Sequence, residues 1–447
     1  MKLVKMSLLA ATLIASSAFA VDNVKVSGDA QLFYSTSDSD TQTSNAIVGN
    51  TDGSLFDKDS SAADAALHLG VTADLAKNDY VTVSAGLKGT LLSTLSLENN
   101  LVSNVWGGAH TATATTGATY ANAPVAGLGG AKVENASWFN EAWVALSAGK
   151  STAKLGRMEL DTPLAFTETW SIEQNSFEAA VLINQDLPDT TLVAAYVGNG
   201  NGTETFGQNL QSNVTTIPAT LGLPSLAVAP VVNGDGKFAT YGTDGAYTIG
   251  AINNSWKPLT AQAWYYDVSK LAQAYWLQAD LNLVGILAGA QYSGISLDKK
   301  TGSDVSSDAL AVMLGYEMKD VFTVKGAYSQ IGTDFTAGFN TATSSGDTKL
   351  YTKTFWNYGF GNGVTAADTT AYKVSVSSPV NGLFDASVAY TSVDQSSDAG
   401  NADLAEIALV VKKSFGPLDT KLAVINVDDT AADDKYNMVQ AYLTLNF

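Results

Sequence analysis

VQAYLTLNF (residues 439–447), the last stretch of the chain, decides the reading of the fold. Val439, Ala441, Leu443, Leu445 and Phe447 fall on one side of an alternating pattern, and Gln440, Tyr442, Thr444 and Asn446 on the other. A period of two, apolar against polar, marks a strand with one face in an apolar medium and one in a wet one. Chain ends fray unless something ties them down, and an unpaired apolar edge invites aggregation. In a closed ring the last strand pairs with the first, and the difficulty goes away. Leu443, Leu445 and Phe447 are therefore expected to close a barrel.

The opposite end, MKLVKMSLLAATLIASSAFA (residues 1–20), has Lys2 and Lys5, an apolar run from Met6 to Ile14, and the small-residue ending Ala18-Phe19-Ala20. This predicts a secretory signal peptide cleaved before Val21, and the apolar run is short of the ~20 residues a membrane helix needs. No later stretch reaches that length, so helical insertion is excluded; a barrel is not, because its strands are only half apolar. The absence of cysteine excludes a disulfide scaffold in an exported protein. Lys and Arg number 24 against 43 Asp and Glu, a formal net charge of −19, and losing Lys2 and Lys5 with the leader makes it more negative. Phosphate recognition needs clustered basic residues, so nucleic acid is excluded as a partner and cations are favoured. A negative surface that only keeps a protein soluble has the same composition.

Alternating segments recur from VKVSGDAQLFY (24–34) to the end, through ADAALHLGVTADL (63–75), SFEAAVLIN (176–184), LTAQAWYYDV (259–268) and TKLAVINV (420–427). They amount to about eighteen strands of an all-β, transmembrane antiparallel barrel that forms one domain over residues 21–447. The connections sort. After even-numbered strands they are tight: AKND (76–79), AGK (148–150), QDLPD (185–189), NSWKP (254–258), KD (319–320), PVNG (379–382) and SFGP (414–417). After odd-numbered strands they are mostly long and polar, near residues 35–62, 92–135, 159–175, 198–245 and 331–370. Short periplasmic turns and long extracellular loops are the asymmetry of an outer-membrane barrel, and a soluble sandwich has no reason for it. A barrel of this strand number holds a water-filled lumen, where eight strands would be filled by side chains.

Catalytic parts are scarce. His68 lies on the polar face of the second strand and His110 in a long loop, and neither has an evident nucleophile or base beside it. The stretch GRMELDTPLAFTETWSIEQN (156–175) carries the chain's only arginine, Arg157, followed by Glu159, Asp161, Glu168 and Glu173, with Pro163 and Trp170 to shape and pack it. Folded into the lumen, such a loop would set opposed charges across a pore constriction; left outside, its charges would merely be solvated. Strand parity assigns Lys154, Gln278, Asp280, Asn282, Lys325, Lys373 and Glu406 to the lumen, since a lysine facing lipid near mid-membrane costs roughly 2–4 kcal/mol.

The tract from Gly156 through QDLPDTTLVAAYVGNGNG (185–202) resembles the major outer membrane porins of Campylobacter-type bacteria, relatives of the OprD-like porins. The resemblance implies an eighteen-stranded trimeric diffusion channel in the bacterial outer membrane, cation-preferring, with residues 156–175 as its inward-folded third loop. It carries over Arg157, Glu159 and Asp161 as constriction residues. It also implies outer-membrane lipid and lipopolysaccharide around the barrel, assembly machinery that reads the C-terminal strand, and bound calcium in some members, whose ligands no motif assigns here. No cofactor is required. The basic ladder of OprD-like channels is expected to be sparse, given one arginine. The rival reading is a barrel-anchored adhesin that works through its long extracellular loops.

Overall fold

The computed structural model describes residues 21–39, 54–57, 60–97, 100–102, 135–169, 172, 174–201, 238–242, 244–301, 304–343, 347–356, 363–380, 382–399, 403–430 and 433–447. The expected signal peptide, His110, Trp170 and Glu173 lie outside them. Eighteen long strands follow one another: β1 Asp22–Ser37, β2 Ser61–Lys77, β3 Val81–Ser93, β4 Asn135–Ala148, β5 Ser151–Met158, β6 Phe177–Asn184, β7 Thr190–Gly200, β8 Ala246–Asn253 and β9 Leu259–Val268. The second half is β10 Ala272–Leu283, β11 Ile286–Leu297, β12 Ser306–Met318, β13 Phe322–Ile331, β14 Thr369–Val380, β15 Phe384–Gln395, β16 Leu404–Phe415, β17 Leu418–Asp429 and β18 Asp434–Asn446. A two-residue rung, Ala239–Thr240, adds to the end of β7.

Every strand pairs antiparallel with its chain neighbours, and β1 also pairs with β18, so the sheet closes into a ring. Asp29 stands opposite Asn446, and Gly28 and Phe447 exchange backbone hydrogen bonds of 2.9 and 3.0 Å. Gly28 is needed there: a Cβ would come within 2.4 Å of the His68 carbonyl oxygen and 2.7 Å of the Phe447 ring. The final strand thus has no free edge on either side.

Side chains alternate as the period demands. Leu155, Ile249, Leu314, Val374, Leu409 and Leu422 are exposed on the outer face, together with Leu443, Leu445 and Phe447. A continuous apolar exterior of this kind is matched to hydrocarbon, not to water. Tyrosines pair across neighbouring strands near the loop rim, Tyr196 with Tyr247 at 4.9 Å and Tyr328 with Tyr372 at 5.2 Å between ring centroids. At the turn rim Tyr80, Trp256, Tyr316, Phe384 and Phe415 are exposed. Two aromatic belts bounding an apolar band fit the two membrane–water interfaces.

The links after even-numbered strands are all tight and fall at one rim, and the long links fall at the other; the exceptions there are the three-residue link between β9 and β10 (269–271) and the four-residue link between β17 and β18 (430–433). The hydrophobic core lies inside the ring. The β5–β6 link (159–176) and the described parts of the β13–β14 link (332–368) fold inward. There Leu164, Phe335, Phe339 and Leu350 pack against the inward Trp264, Tyr266, Trp276, Ile295 and Ile331 of β9 to β13. That side of the lumen is filled by apolar packing, and a second buried cluster, with Val393, Leu404, Ile425, Tyr436 and Met438, lies along β15 to β18. The second inward loop was expected to be an outer polar link; its spaced Phe335, Ala337, Phe339 and Leu350 are what draw it in.

Candidate functional site

Two inward loops and the wall they lean on meet inside the lumen. The β5–β6 loop leaves the wall at Gly156, whose φ is 123° and where a Cβ would meet the Ala142 carbonyl oxygen at 2.2 Å. Glu159 turns back to β3, where Lys88 Nζ donates to its Oε1 at 2.6 Å and to Gln174 Oε1 at 3.1 Å. Asp161 points into open space, its side chain 88% exposed, and is met there by Lys349 of the β13–β14 loop. Lys349 Nζ also stands 5.0 Å from the centroid of the Phe166 ring.

Glu168 is not at the water's edge. It is 2% exposed and accepts hydrogen bonds from Asn340 Nδ2 at 2.9 Å and from the Thr343 hydroxyl. The same Asn340 side chain accepts from the Phe166 backbone N–H at 3.1 Å and donates to the Phe166 carbonyl at 3.0 Å, while the Thr341 N–H and hydroxyl donate to the Leu164 carbonyl at 2.8 and 2.7 Å. A carboxylate buried with its hydrogen bonds made is stable, and one stripped of a partner is costly. The two loops are therefore latched into a single body.

Arg157 corrects the sequence expectation. It shares its face with Leu155, which is 60% exposed on the outside of the barrel, so the guanidinium lies on the outer wall and does not line the constriction. Its Nε donates to Glu178 Oε1 of β6 at 2.8 Å, Glu178 Oε2 accepts from Asn199 Nδ2 at 2.6 Å, and the guanidinium carbon stands 4.0 Å from the Phe238 ring centroid. The cluster rivets β5, β6 and β7 together from outside.

The inward faces carry the remaining expected residues. Lys154 stands 3.6 Å from Glu141 and 4.3 Å from the Trp143 ring centroid. On β10, Trp276 Nε1 donates to Gln278 Oε1 at 2.9 Å, Gln278 Nε2 donates to Asp280 Oδ2 at 2.6 Å, and the Tyr351 hydroxyl of the inward loop donates to Asp280 Oδ1 at 2.6 Å. Asn282 sits lower on the same face, 3.5 Å from Glu317. Glu406 is buried and accepts from the backbone N–H groups of Phe355 and Trp356, at 2.8 Å for the latter. Lys373 Nζ donates to the Lys353 carbonyl. Residues 349–356 thus run as a strap along the wall from β10 to β16.

Behind the strap is a recess of about 540 Å³ in which Lys325, Lys353, Lys373 and Lys421 converge beside Phe355 and Trp356. Lys421 Nζ lies 3.4 Å from the Tyr442 ring centroid, and Lys353 pairs with Asp347 at 2.7 Å. In a chain this acidic, four lysines around one recess make a local positive patch. Sequence reasoning missed Lys88, Lys349, Lys353 and Lys421. Parity could have found Lys88 and Lys421, which oppose the apolar faces of β3 and β17; nothing local marks the two loop lysines. His68 Nδ1 donates to Asp29 Oδ1 at 2.8 Å. Among the described residues no group of three or more His, Asp or Glu is arranged to hold a metal ion.

These features define a closed eighteen-stranded barrel with an apolar exterior, a charged interior and two loops folded into its lumen. Its overall shape is similar to that of several solved structures from Pseudomonas aeruginosa. OccK1 (OpdK) superposes with a TM-score of 0.67 at 12% identity, covering 95% of this chain and 98% of that one. OpdK solved with vanillate gives 0.66 at 11%, and OccK8 (OprE) 0.65 at 13%, each with the same coverage. At such identities the likeness is one of fold. No family model and no curated protein matches the sequence.

Proposed function

We propose that the chain is an outer-membrane porin, a water-filled channel for passive diffusion of small hydrophilic solutes and ions. One observation carries this reading: the ring closes through Gly28 and Phe447, and Leu155, Ile249, Leu314, Val374, Leu409 and Leu422 expose an apolar exterior while Lys154, Asp280, Lys373 and Glu406 turn inward. Such a cylinder is stable only when hydrocarbon wets the exterior and water the interior. The structural neighbours include a protein described as the outer membrane protein OpdK, which supports the same compartment. No catalytic role is proposed, since His68 is engaged with Asp29 and no activated nucleophile stands beside it.

The preference for cations rests on the net charge of −19. A specific observation favours a second property on top of it: the lysine recess offers four cationic heads to an anionic group in transit, and OpdK is known with vanillate. Kinship with the Campylobacter-type porins, a homotrimeric state, contact with lipopolysaccharide and recognition of the C-terminal strand by assembly machinery all belong to this reading and rest on the sequence resemblance. The adhesin alternative is less favoured, because two long loops are spent inside the ring. Reconstitution in a planar bilayer tests the proposal: stepwise conductance with reversal potentials favouring K⁺ is expected. A silent protein would overturn the channel, and anion preference would overturn the charge argument.

A further inference from the structure

One ion pair within the lumen joins the two inward loops at an exposed point. Asp161 reaches out from the β5–β6 loop with its side chain 88% exposed, and Lys349 reaches from the β13–β14 loop to close on it. The backbones behind them are held. Leu164 and Phe166 are bonded to Asn340 and Thr341, and the Lys349 carbonyl accepts from Gln291 Nε2 at 2.8 Å. The ion pair is therefore a bar across water, anchored at both ends but free in the middle. An exposed pair of this kind is worth only about 0–1 kcal/mol, so it opens readily.

We infer that this bar is a solute site for small zwitterions, molecules carrying an ammonium and a carboxylate a few ångströms apart. The inference rests on the channel reading above. Electrostatics makes it selective. A simple carboxylate that takes Lys349 leaves Asp161 unpaired beside a second negative charge, and a simple ammonium on Asp161 leaves Lys349 in the mirror position. Like charges at that distance repel, and the nearest acid on the same loop offers no relief, because Glu159 is already held by Lys88 at 2.6 Å. A zwitterion gives each end its own partner, and no charge is left over. The buried Phe166 ring, 5.0 Å from Lys349 Nζ, steadies the ammonium on its own side of the pair.

The experiment uses the purified full chain in a planar bilayer, with current recorded as alanine, propionate or propylamine is added. These probes match in size and differ in charge. Alanine is expected to interrupt the current at concentrations about tenfold below those of either singly charged probe. The variants Asp161→Asn and Lys349→Met should each abolish that advantage, and the charge-swapped pair Asp161→Lys with Lys349→Asp should restore it. Both side chains are surface groups within the lumen, and heat-modifiable migration on a gel checks that each variant has folded. Propionate or propylamine acting as well as alanine, or an alanine effect that survives both single changes, overturns the site. A wild-type protein with no conductance at all sinks the porin reading instead, and the two failures are told apart at the first recording.

Discussion

Val374 and Lys373 are adjacent at the middle of β14 and face opposite ways, which allows one residue type to probe both sides of the wall. Val374 is exposed on the outer face, whereas Lys373 points into the recess and donates to the Lys353 carbonyl. Arginine at 374 must place a guanidinium in hydrocarbon at the strand's centre, where the cost is roughly 2–4 kcal/mol. That shifts the folded-to-unfolded ratio by about 30- to 700-fold. Arginine at 373 keeps its charge in water and gives up at most one hydrogen bond, about 1 kcal/mol. Urea titration of the two variants in lipid vesicles, followed by tryptophan fluorescence, measures both. The midpoint for Val374→Arg should fall well below wild type, with that for Lys373→Arg close to it. Equal midpoints would mean that the outer face is not in lipid, and the assignment of inside and outside would be wrong.

Three further outcomes follow from the lumen and the seam. Arg157→Gln should leave ion selectivity unchanged and lower stability by about 1 kcal/mol or less, since the pair it breaks is a partly exposed one on the outer wall; a shifted reversal potential would return Arg157 to the pore. Asn340→Ala removes hydrogen bonds to Phe166 and to the buried Glu168, so it should cost about 1–3 kcal/mol and raise open-channel current noise, while quiet, unaltered channels would mean the two loops are not latched. Phe447→Ala, at the residue that exchanges backbone hydrogen bonds with Gly28, should reduce the yield of heat-modifiable barrel in whole-membrane extracts, and an undiminished yield would take the side chain out of closure.

The ring was legible in the sequence because a period of two survives translation into structure one residue at a time. Leu443, Leu445 and Phe447 lie outside as the alternation requires, and the short and long links sort to opposite rims. Parity placed Lys154 in the lumen, and the same rule, carried three residues further, puts Arg157 on the other face with Leu155. The expectation of a constriction arginine came from its rarity and its acidic neighbours, and chemistry of that sort says nothing about which way a strand residue points. The latch was not legible, because Asn340 and Glu168 are 172 residues apart and meet only when two loops fold into the same space.

The position of the lysines explains how a chain of net charge −19 can still offer its solutes a positive surface. Charge far from a Debye length of about 8 Å is screened at physiological salt, so the total governs only how ions are gathered at the mouth. Inside, what a solute meets is the local arrangement: Lys325, Lys353, Lys373 and Lys421 around one recess, and Asp161 against Lys349 where the loops meet. The apolar packing of Trp264, Trp276, Phe335 and Phe339 holds the two inward loops in place beside these groups. The proposed cation preference and the proposed attraction of anionic groups thus rest on different parts of one molecule, and a change to one side chain of the recess should alter the second while leaving the first nearly intact.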